Sequence, residues 1–163
     1  MKKRIGSLIL AIGIIVSVVM TFTGCSFGGN DSDSSTLTAE EILEKITMNI
    51  DEPNQMDIDS DFFTDNYEID KSILKSYVVR VPIGDKYANE CAVFEVKDKK
   101  DIEKVEEGIE KRSKILENNW KGYIPEQYDL VKSRKVVTKG KYVLFVISEN
   151  SDKIEENFEE IIE

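Results

Sequence analysis

Tyr142-Val143-Leu144-Phe145-Val146-Ile147 is apolar at every position, and this run decides the fold. Successive side chains of a strand point to opposite faces, so a strand with one wet face alternates apolar and polar residues. An unbroken apolar run instead predicts a central strand covered on both faces. Lys139-Gly140-Lys141 just before it reads as a tight turn, which makes Leu130 to Thr138 its partner strand. The pattern also occurs upstream. Tyr77, Val79 and Val81 alternate with Val78 and Arg80, the chain turns through Pro82-Ile83-Gly84-Asp85, and Ala92, Phe94 and Val96 bring it back as a second β-hairpin.

Each hairpin runs on into helical spacing. Ile102, Val105, Ile109, Leu116 and Trp120 form one apolar stripe on a helix predicted from about Lys99 to Asn119, and its charged remainder reads as a solvated face. Ile154, Phe158 and Ile161 do the same from Ser151 to the end. Phe94 and Val96 lie 51 residues before Phe145 and Ile147, while Ile102 and Ile109 lie 52 before Ile154 and Ile161. The two strand–strand–helix units thus read either as an internal repeat or as hairpin–helix units alike by chance. Ahead of them Thr38-x-x-Glu41 is a capping box, with Leu37 and Ile42 placed as a hydrophobic staple. Ile42, Leu43, Ile46 and Ile50 continue that helix to about Asn49, short of Pro53. Asn54 to Asp70 reads as an acidic, irregular connector that tucks Phe62, Phe63 and Tyr67 onto the core, with a helical turn near Asp70–Leu74. The expected fold is α+β: an N-terminal helix, then two β-hairpin–helix units forming an antiparallel sheet of about four strands, with helices mostly on one face.

The N-terminal region has a different character. Lys2, Lys3 and Arg4 open the chain, no acidic residue occurs before Asp31, Ile5 to Met20 is almost wholly apolar, and Thr21, Thr23 and Gly24 close the run. These are the three parts of a secretory signal, although the run is also about long enough for a retained membrane anchor. The ending Thr23-Gly24-Cys25 resembles the lipobox of bacterial lipoproteins, with Phe22 where that family more often has Leu. The resemblance implies cleavage between Gly24 and Cys25 and a diacylglyceryl group on the Cys25 sulfur; no other cofactor is expected. The expected organisation is residues 1–24 as signal peptide, 25–36 as lipidated cysteine and flexible linker, and 37–163 as one α+β domain. The Gly-, Ser- and Asp-rich linker from Ser26 to Thr36 would reach about 17–20 Å. The expected location is the outer face of the cytoplasmic membrane, and the Lys- and Ile-rich composition points to a Gram-positive envelope.

Charge narrows the partners. Without Lys2, Lys3 and Arg4 the 22 cations fall to 19 against 32 carboxylates, a formal charge of −13 where the full chain has −10. So acidic a chain repels nucleic acid and anionic headgroups, which leaves the lipid as the membrane contact. Plain solubility is the simpler meaning of that charge, and a cationic partner the more specific one. The chain is expected to act as a monomer.

Few residues offer chemistry. The absence of histidine excludes Ser-His-Asp and Cys-His catalysis and histidine-ligated metal sites. With Cys25 assigned to lipid, Cys91 stands alone on a predicted strand and reads as an inert core residue, with no disulfide available. Asp57, Asp59, Asp61, Asp65 and Glu68 fall at positions 1, 3, 5, 9 and 12 of an EF-hand calcium loop. Phe62 stands where that loop needs Gly, Thr64 where it needs an apolar residue, and no clear helix precedes it, so an acidic connector pinned by its aromatics is the favoured reading. Trp120, Tyr123 and Tyr128 leave the end of a helix across Gly122 and Pro125. They form either a contact platform for a ligand or protein, or a corner that closes the core.

Trp120-x-x-Tyr123-x-Pro125-x-Gln127, followed by Gly140-x-Tyr142-Val143-Leu144-Phe145-Val146-Ile147-Ser148, resembles small bacterial lipoproteins catalogued as domain of unknown function 4358. The likeness runs over roughly Leu37 to Glu163. It implies an envelope lipoprotein and brings no activity or catalytic residue with it. The expected function is a membrane-anchored cell-envelope lipoprotein whose non-enzymatic domain binds an envelope protein or small ligand. The alternative is an enzyme that acts on cell-envelope material through Asp and Glu alone.

Overall fold

The computed structural model describes residues 37–162. The expected signal peptide, with cleavage after Gly24, the expected lipidation at Cys25 and the expected linker fall outside the described residues.

Helix α1 (Ala39–Ile46) starts where the capping box places it. The Thr38 hydroxyl accepts the Glu41 N–H at 3.3 Å, and the Glu41 carboxylate takes the Thr38 N–H at 2.8 Å. The sheet contains β1 (Gln55–Asp57), β2 (Leu74–Pro82), β3 (Glu90–Val96), β4 (Lys135–Lys139) and β5 (Tyr142–Ile147). Its order is β1-β2-β3-β5-β4, with every pairing antiparallel. Ala92 lies opposite Phe145 and Phe94 opposite Val143, so β3 and β5 form the middle of the sheet. Both are buried along their whole length.

Strand alternation sorts those residues into two cores. Ala92, Phe94, Val96, Val143, Phe145 and Ile147 point to one face, where α2 (Ser60–Tyr67), α3 (Ile102–Trp120) and α4 (Pro125–Lys132) supply Phe63, Tyr67, Val105, Ile109 and Val131. Cys91, Val93, Leu144 and Val146 point to the other, where α1 and α5 (Ser151–Ile161) supply Ile42, Leu43, Ile46, Ile154 and Phe158. The apolar run is therefore covered on both faces, as its composition requires. The expectation of helices mostly on one face is corrected for the same reason: an apolar β5 needs a helical cover on each side.

Other expectations are corrected too. The sheet has five strands rather than four, because the acidic connector contributes β1, with Met56 opposite Val81, and then α2. The stretch from Leu130 is split: α4 takes it as far as Lys132, and β4 begins at Lys135. Pro125 sits in the first turn of α4, where its fixed φ and missing N–H suit a helix start. The two hairpin–helix units are also not equivalent. β3 and β5 run in opposite directions, so α3 and α5 begin at opposite ends of the sheet and cover opposite faces. The first hairpin, the Asp70–Leu74 turn and the final helix stand where the sequence places them.

α3 presses close to the chain leaving α2. A Cβ on Gly108 would lie 2.7 Å from the Tyr67 carbonyl oxygen and 2.3 Å from Ile69 Cγ1. Among the described residues no helix is long and apolar enough to cross a membrane.

Candidate functional site

Two polar clusters lie at the end of the sheet where Glu90 of β3 faces Ile147 of β5. The first is sealed. Glu90 is 1% exposed and Arg112, on α3, is 6% exposed. Arg112 Nε donates to Glu90 Oε1 at 2.9 Å, its Nη2 to Oε2 at 2.6 Å, and its Nη1 to Asn66 Oδ1 at 2.8 Å. The Tyr67 hydroxyl completes the set by donating to Glu90 Oε1. Phe62 lies over the guanidinium at 5.2 Å, so this residue of the connector covers the ion pair rather than the core. Burial and then the charge of Glu90 hold the Tyr67 hydroxyl well above its ordinary pKa. Burial would lower that of Arg112, but the hydrogen bonds and charge of Glu90 outweigh it and raise it. With each charge matched and little water reaching it, this cluster fastens α2 and α3 to the sheet.

The second cluster is open. Residues 51–53 after α1, Tyr87 and Asn89 before β3, Glu149 and Asn150 after β5, and Gln127 in the first turn of α4 line a cleft of about 310 Å³. Glu52 is its framework. Asn89 Nδ2 donates to Glu52 Oε2 at 2.8 Å, while Ser148 Oγ and, at 3.3 Å, Asn150 Nδ2 donate to Oε1. Asn150 occupies the N-cap of α5, yet its side chain makes no cap hydrogen bond, holding Glu52 and the Asp51 carbonyl instead. Gln127 Oε1 accepts the Ala88 N–H at 2.7 Å, tying α4 to the rim. Asp51, Glu149 and Tyr87 stand exposed around the opening. Neither lysine nor arginine lines it.

The residues singled out from sequence are placed elsewhere. Trp120 is 8% exposed and belongs to the core, Tyr128 is half-buried against it, and Tyr123 is 60% exposed. The three therefore share no exposed platform, because α4 turns Tyr128 inward. The calcium-loop candidates are dispersed by α2. Asp57 pairs with Arg80 at 2.8 Å from β1, Asp59 caps α2, Asp61 and Asp65 are exposed on that helix, and Glu68 pairs with Lys111 at 2.6 Å. Among the described residues no three carboxylates or cysteines gather to hold a metal ion. Cys91 is buried, and burial pushes its thiol up, away from thiolate chemistry.

Glu52, Asn89, Asn150 and Tyr87 escaped the sequence reading because they come from connectors with no spacing to link them. Gln127 and Ser148 do occur in the quoted stretches, and the fold brings them to the same cleft.

Residues 48–148 match the family described as Domain of unknown function (DUF4358), which takes in the whole sheet and the helices of one face but neither α1 nor α5. No curated protein and no solved structure matches the chain.

Proposed function

The chain belongs to the DUF4358 family, and from that premise we propose that it is a lipid-anchored cell-envelope protein whose domain binds a small polar ligand without transforming it. The basic start, the apolar run and Thr23-Gly24-Cys25 support the anchor. In this reading a diacylglyceryl group on Cys25 holds the chain at the outer face of the cytoplasmic membrane, and two acyl chains suffice where one binds only marginally. The acidic domain stands off that surface on its linker and meets the membrane through the lipid alone.

One observation carries the binding role: the cleft around Glu52 is open, yet its framework is already fixed by hydrogen bonds from three side chains. Such a pre-formed polar hollow, at the low end of the size range of ligand pockets, fits a single small molecule. The cleft also bears on the carboxylate-enzyme alternative, since Asp51, Glu52 and Glu149 share it. Glycoside hydrolysis needs one carboxyl group free to give a proton and another free to attack or activate water. Glu52 is committed to its donors, which favours binding.

Mass spectrometry of protein taken from its own membranes tests the anchor. The N-terminal peptide should begin at a diacylglyceryl-modified Cys25, and Cys25→Ala should leave the signal uncut. A mature peptide with an unmodified Cys25 would remove the lipid from this reading.

A further inference from the structure

We propose that the cleft selects a small protonated amine that also carries hydroxyl groups, the chemistry of an amino alcohol or amino sugar. This deepens the binding role assigned above and rests on it. The first observation is Asn89. It is 6% exposed and lines the cleft, and since Glu52 can only accept, the Asn89 amide must turn Nδ2 towards it. That leaves Oδ1 as the other atom, and among the described residues it accepts no hydrogen bond. Every fully enclosed side-chain polar atom among the described residues has a partner, so this oxygen is not fully enclosed, and it belongs to a residue that lines the cleft. An acceptor at the wall of the cleft that no protein group uses is open to a ligand's donor in place of water.

The second observation is charge. Among the described residues the carboxylates of Asp51 and Glu149 have no ion-pair or hydrogen-bond partner, and with Glu52 they give the lining three acids and no cation. An anionic ligand is repelled here, and a neutral one leaves that field unanswered. An ammonium group answers it, with N–H donors for Asn89 Oδ1 and the rim carboxylates. The ring of Tyr87, 47% exposed at the same opening, adds a face on which a cation or a sugar ring can rest.

A bare metal ion is a poorer fit, since among the described residues no three carboxylates or cysteines gather to hold one. The ligand must also present an acceptor. Gln127 spends Oε1 on the Ala88 N–H, and its Nε2 has no partner among the described residues. A hydroxyl oxygen on the amine would take that N–H. A cavity of about 310 Å³ limits the whole ligand to about one ring.

The test is calorimetric titration of the purified full chain in detergent with glucosamine, N-acetylglucosamine and glucose 6-phosphate. These probes share a pyranose ring but carry a positive, no and a negative charge. Glucosamine should bind at least about tenfold more tightly than the other two. Asp51→Asn with Glu149→Gln should weaken it about tenfold, and Tyr87→Ala about threefold. All three positions are exposed, so the fold should survive, which thermal unfolding would verify. Equal affinity for glucosamine and N-acetylglucosamine would overturn the charge selection while leaving the cleft a binding site. Heat unaltered by these substitutions would place binding elsewhere, and no heat with any probe would overturn both the selection and the binding role.

Discussion

Glu90 and Glu52 are both carboxylates held by several donors at the same end of the sheet, yet one is sealed and the other open. Glu90 is matched by the Arg112 guanidinium and covered by α2 and α3. Glu52 is matched by uncharged amides and a hydroxyl, with further acids beside it. A buried charge is tolerable only when another charge answers it, so the first arrangement is complete in itself. The second leaves negative charge and an unused acceptor facing solvent. The sealed cluster serves the fold, and the open one is where an outside molecule can contribute something.

Removing one side of the sealed pair should break the comparison most severely. Arg112→Met strands Glu90 without its countercharge, and urea unfolding should register a loss of about 3–5 kcal/mol. A loss below about 1 kcal/mol would mean that water already reaches Glu90 and that the two clusters are alike. Gly108→Ala tests the seal itself. In an exposed helix this change stabilises by up to about 1 kcal/mol. Here the new methyl would strike the Tyr67 carbonyl and Ile69, so the sign should invert to a loss of about 1–3 kcal/mol.

The alkaline limb of stability provides a third check. Tyr67 has its pKa raised on folding, so its contribution is whole below about pH 10 and is lost as pH climbs from there towards the folded value. The fall should approach about 1.4 kcal/mol per pH unit and should be absent from Tyr67→Phe, while Cys91 adds a fall of the same sign from about pH 8.5. A wild-type profile that overlays Tyr67→Phe would show Tyr67 free to ionise in the fold. The smallest effect belongs to the open cluster. Glu52→Gln should cost only about 1 kcal/mol, because water can replace a lost partner there. A cost like that of Arg112→Met would make the cleft a structural joint rather than a binding site.

How far the sequence could be read follows from the range of the forces involved. The capping box, the first hairpin and the last helix were legible because a cap, an alternation or a stripe is written within one turn or one strand. α4 was missed because the apolar residues from Leu130 to Val137 suit a strand, while Pro125 and the spacing of Ile124, Tyr128 and Val131 suit a helix. β1 was missed because a three-residue edge strand has no pattern of its own and exists only through Val81 and Arg80 opposite it. For the aromatic trio the sequence leaves both a platform and a core-closing corner open, because it does not show that α4 folds Tyr128 back onto the core while Tyr123 remains outside.

The sequence by itself determined that β5 would be covered on both faces, since six consecutive apolar side chains on a strand leave no side for water. It also determined where α1 and α5 begin and the strongly negative charge. Only the tertiary structure decided which helices cover which face, that Glu90 meets Arg112, and that Glu52, Asn89, Gln127 and Asn150 enclose one cleft. Those partners lie 22 to 98 residues apart along the chain. No local propensity encodes such a meeting; it follows from how β3 and β5 run past each other and bring their loops to one end of the sheet.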